Sequence, residues 1–120
     1  MSKQTQPQNE ALVRLLIAAK YQDKKLSLLE DAEFHKHLER LPWDSGTALS
    51  LFVMNETATI REALSSEDSK QKFLAGQCAQ FTDSGTKSNA LNAIAIVLQA
   101  DGIDPKESAF LLQLKTILHT

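Results

Sequence analysis

The sequence predicts an all-α fold: a compact single-domain helical bundle of about six or seven helices with two related helical hairpins. Three observations predict it. Apolar residues recur at three- and four-residue spacing along almost the whole chain of 120 residues, which is the period of helices with one buried face. Only three prolines and four glycines interrupt that period. Cap-type residues stand ahead of several of the apolar runs, where the first turn of a helix needs acceptors for its free amides. The length suits one domain with one core, so residues 1–9 are expected to be a flexible polar arm and residues 10–120 the helical domain.

The first helix is expected to be capped by Asn9 and to run to about Lys20. Ala11, Leu12, Leu15, Leu16, Ala18 and Ala19 make it apolar around most of its circumference, so it belongs at the centre of the bundle. In "LSLLEDAEFHKHLERL", Ser27 and Glu30 have capping-box spacing, and Phe34, Leu38 and Leu41 then form one stripe ending before Pro42. A third helical region should run from Asp44 or Ser45 to about Leu64, with a weak point near Asn55 where β-branched Thr57, Thr59 and Ile60 lower helix propensity.

Ser66 opens the next helix, with Glu67 and Asp68 in the first turn where the helix dipole favours acids, and the helix ends near Phe81. "TDSGTKSN" has the composition of a connector. The stretch "ALNAIAIVLQA" that follows has only Asn92 and Gln99 as polar members and is expected to be buried on nearly every side. The last helix starts at Pro105 and places Phe110, Leu111, Leu114, Ile117 and Leu118 on one face. A weak echo runs through this order: an apolar helix, an acidic turn and an amphipathic helix occur first over Leu12 to Leu41 and again over Leu91 to Leu118.

Charge and composition exclude several functions. The formal charge of -2 and pI near 5.9 give no general attraction for phosphate backbones, so no nucleic-acid partner is expected. The longest apolar runs, near Ala11 to Ala19 and Ala90 to Leu98, are shorter than the ~20 residues of a membrane-spanning helix. The opening "MSKQTQPQN" has no apolar segment behind a basic start and so does not read as a secretory signal. One cysteine, Cys78, excludes an intramolecular disulfide, and a cytoplasmic location is expected.

The residues that invite a functional reading lie in the second acidic turn, "ADGIDPKE". Asp104 suits an N-cap, Pro105 the first helical position and Glu107 the third position of a capping box, so local structure accounts for much of the motif. Asp101 is different. It follows the last turn of an apolar helix, where the dipole is negative, and needs compensation from backbone amides or a bound cation. Asp23 stands in the same position after the first helix. Oxygen ligands of this kind select hard divalent ions such as Ca²⁺, Mg²⁺ or Mn²⁺, though the spacing is not that of an EF-hand loop. Capping and cation binding both remain open on the residues alone.

"IAIVLQADGIDPKESAFLLQL" resembles the C-terminal signature of the tellurite-resistance protein B-like (TerB-like) family, and "LLIAAKYQDKKLSLLE" resembles its N-terminal counterpart. The resemblance covers roughly residues 11–41 and 90–118. It implies two related helical halves whose acidic turns form a negative patch holding a divalent metal, with Asp23 and Glu30 contributed by the first turn and Asp101, Asp104 and Glu107 by the second. The first turn departs from the pattern at Lys24, where the family places glycine. The function so implied is that of a non-enzymatic stress-response module. The alternatives are a metal-independent module that recognises a protein partner at the acidic patch, and a small metal-dependent hydrolase. Pairing into a homodimer is left open.

Other side chains have simpler accounts. His35 and His37 are two apart on a helix and do not share a face. Cys78 falls on the apolar side of its helix, as an inert thiol would, and Trp43 is expected to wedge a helix corner into the core. Gly-rich phosphate loops, Ser-His-Asp constellations and zinc spacings are absent from the sequence.

Overall fold

In the computed structural model, the described residues are 6–20, 32, 34–36, 38, 39, 43, 48–99 and 105–118, the side chains at 20 and 105–107 excepted. Five helices have defined bounds: α1 (Gln6–Lys20), α2 (Leu49–Ala63), α3 (Glu67–Cys78), α4 (Ser84–Leu98) and α5 (Pro105–Leu118). Helical backbone also occurs at positions 32, 34–36, 38 and 39, between α1 and α2. The all-α single-domain fold expected from the sequence is therefore present. The radius of gyration, 13.3 Å, matches the roughly 13.6 Å expected for a folded chain of this length. None of the described helices is long and apolar enough to cross a membrane.

Four helices form a ring in which α1 packs on α3 and α4, and α5 packs on the same two from the other side. The remaining helix, α2, lies outside the ring against α1 and, less extensively, α3. This places α1 where its sequence predicts. Ala11, Leu12, Val13 and all of Leu15 to Ala19 are buried, leaving Arg14 as the half-exposed interruption. Each fully buried leucine, isoleucine or valine contributes on the order of 1.5–3 kcal/mol by leaving water. Ile60 of α2, Leu74 of α3, Ile94 and Leu98 of α4, and Phe110, Leu114 and Leu118 of α5 complete the core around it, with Phe34 and Leu38 added from the segment before α2.

The helix starts separate three of the expectations. Ser66 caps α3 as expected, its side chain accepting from the Ser69 amide at 3.2 Å. Asn9 does not cap α1: the helix begins at Gln6, and Asn9 is buried within it, so residues 6–9 belong to the domain rather than to an arm. Nor is "TDSGTKSN" a connector throughout. Asp83 caps α4, its Oδ1 accepting from the Thr86 amide at 2.7 Å and from the Thr86 hydroxyl at 3.1 Å, and the helix begins at Ser84. The turn chemistry of Asp, Ser and Gly marks a helix start here, with Thr86 already buried.

α2 begins at Leu49, later than expected, and runs unbroken past Asn55. Thr57 donates its hydroxyl to the Val53 carbonyl at 2.6 Å, and Ile60 is buried, so packing and a local hydrogen bond outweigh weak propensity. α4 is less enclosed than its composition suggests. Ala90, Ile94, Val97 and Leu98 are buried, whereas Ile96 is 50% exposed, because ring neighbours cover only one side of the helix.

Candidate functional site

Asp23, Glu30, Asp101 and Asp104 lie outside the described residues, and Glu107 is described only as backbone in the first turn of α5. The helices that lead into the two acidic turns are described. α1, ahead of Asp23, packs directly on α4, ahead of Asp101, and α4 packs on α5, which follows the second turn. Among the described residues there is no cluster of three or more His, Cys, Asp or Glu side chains.

Arg14 organises the polar chemistry that is described. Its Nε donates to Glu56 Oε1 at 2.9 Å, its Nη2 lies 2.8 Å from the same oxygen, and its Nη1 donates to Gln77 Oε1 at 3.3 Å. Glu10, one turn earlier, is 3.8 Å away, and the guanidinium carbon stands 5.2 Å from the centre of the Phe52 ring. Trp43 meets that ring edge-on at 5.0 Å, so it packs at the margin of the core, only partly buried. Delocalised charge, planar donors and an aromatic face suit Arg14 to this position, where it joins α1, α2 and α3.

Cys78, at the end of α3, is buried as the sequence implies, and desolvation pushes its thiol up to about 11. A thiol held neutral in this way is a poor nucleophile near neutrality. His35 is exposed, its ring 5.6 Å from that of Phe34, while His37 lies outside the described residues.

A groove of about 350 Å³ runs between α4 and α5. Its apolar lining is Leu91, Ala95, Leu111 and Leu112, and its polar edge is Asn92, Ser108 and Lys115. Leu112 is 66% exposed, a large apolar side chain left in water on a helix whose core face is otherwise filled. The groove is not apparent from motifs, although Leu112 was the signal: it is the one large apolar residue of Phe110 to Leu114 that does not fit the buried face.

In comparisons with known proteins, no family model matches the chain, and no curated protein or solved structure shows significant similarity to it.

Proposed function

We propose that this chain is a non-enzymatic helical binding module whose acidic turns hold a hard divalent cation, in the manner that the TerB-like resemblance implies. The ligands in this reading are Asp101, Asp104 and Glu107, with Asp23 and Glu30 from the first turn. The observation that supports it is the direct packing of α1 on α4, the two apolar helices that lead into those turns. Carboxylates gathered at such a place repel one another, and a cation offsets that repulsion as well as the unfavourable end of each helix dipole.

Thermal melting in the presence of Ca²⁺, Mg²⁺ or Mn²⁺ tests the proposal. An ion that binds only the folded chain stabilises it by about 2.7 kcal/mol at a hundred times its Kd. The melting temperature should rise with ion concentration, and Asp101→Asn should abolish the rise while Asp68→Asn, on an exposed face of α3, leaves it intact. A wild-type melt indifferent to all three ions, or a response that survives Asp101→Asn, removes the proposal.

The second reading is a metal-independent protein-interaction module. The groove between α4 and α5, with Leu112 exposed beside it, is the observation in its favour.

A further inference from the structure

We draw no further inference here: the strongest candidate, the apolar groove between α4 and α5 beside exposed Leu112, carries nothing because nothing in the structure shows what covers it, and the same holds for the exposed Leu51 and Met54 on one side of α2.

Discussion

Arg14 of α1 meets a single carboxylate oxygen of Glu56 of α2 with two of its nitrogens, at 2.9 and 2.8 Å, although 42 residues separate the two in sequence. The side chains are 26% and 22% exposed, so the pair is better shielded than a typical surface ion pair. The same guanidinium donates to Gln77 and covers Phe52, so it fastens α2 to the ring from within. A double-mutant cycle between Arg14→Ala and Glu56→Ala should give a coupling of about 1 kcal/mol. Arg14→Lys should recover little of it, because an ammonium cannot span Glu56 and Gln77 in one plane. Coupling indistinguishable from zero in denaturant melts contradicts this account.

Core and surface leucines should separate cleanly. Leu15, Leu98 and Leu114 are fully buried, and truncation of any one to alanine should cost about 2–5 kcal/mol. Leu112→Ala, with its side chain 66% exposed, should change stability by less than roughly 0.5 kcal/mol. Urea denaturation midpoints at constant slope provide the measurement.

The two described side-chain caps should contribute unequally. Asp83 accepts both the amide and the hydroxyl of buried Thr86, at 2.7 and 3.1 Å, whereas the Ser66 cap at 3.2 Å is exposed. Asp83→Ala should therefore cost roughly 1–2 kcal/mol and Ser66→Ala about 0.5–1 kcal/mol. Reversal of that order in thermal melts contradicts the role given to Thr86.

Cys78 should make the protein sensitive to alkali. Its pKa lies at about 11 in the folded state against 9.0 for the unperturbed thiol, so over that interval the folded chain holds a proton that the unfolded chain has released. The thiol's contribution is fully present below pH 9.0 and is lost as pH climbs to about 11, a decline on the order of 2 kcal/mol. Cys78→Ala should remove that component of the slope. In the native protein, alkylation at pH 8 should be about a hundredfold slower than in denaturant, reflecting the suppressed thiolate.

The elements legible in the sequence were those whose environment is written in their own composition. From Ala11 to Ala19, α1 is apolar on every side except at Arg14, and a helix of that kind has only the centre to occupy. Ser66 and Pro105 likewise mark the starts of α3 and α5 by local chemistry. What failed depended on distant partners. Asn9 has the chemistry of a cap, yet it is buried inside α1, and neighbouring Gln8 is drawn inward by donating to the Gln80 carbonyl 72 residues away at 2.8 Å. Ile96 is as apolar as Ile94, yet it is 50% exposed while Ile94 is fully buried, because Ile94 is on the side of α4 that faces the core. For the candidate site, residue types and spacing named the acidic turns, of which the described residues include just the backbone of Glu107. The Arg14–Glu56 pair and the groove depend on helices that only the fold brings together.

The central position of α1 has a consequence for biosynthesis. This segment leaves the ribosome before every neighbour that will surround it, and α4 follows only after some further 65 to 80 residues, on the order of ten seconds at ordinary elongation rates. During that interval α2 and α3 can cover part of α1, but the alanine, leucine, valine and isoleucine side chains that α4 will bury have no native shelter. The nascent chain should therefore be a client of holdase chaperones until Leu98 has been translated, and production in cells should respond to chaperone supply more strongly than the stability of the finished domain would suggest.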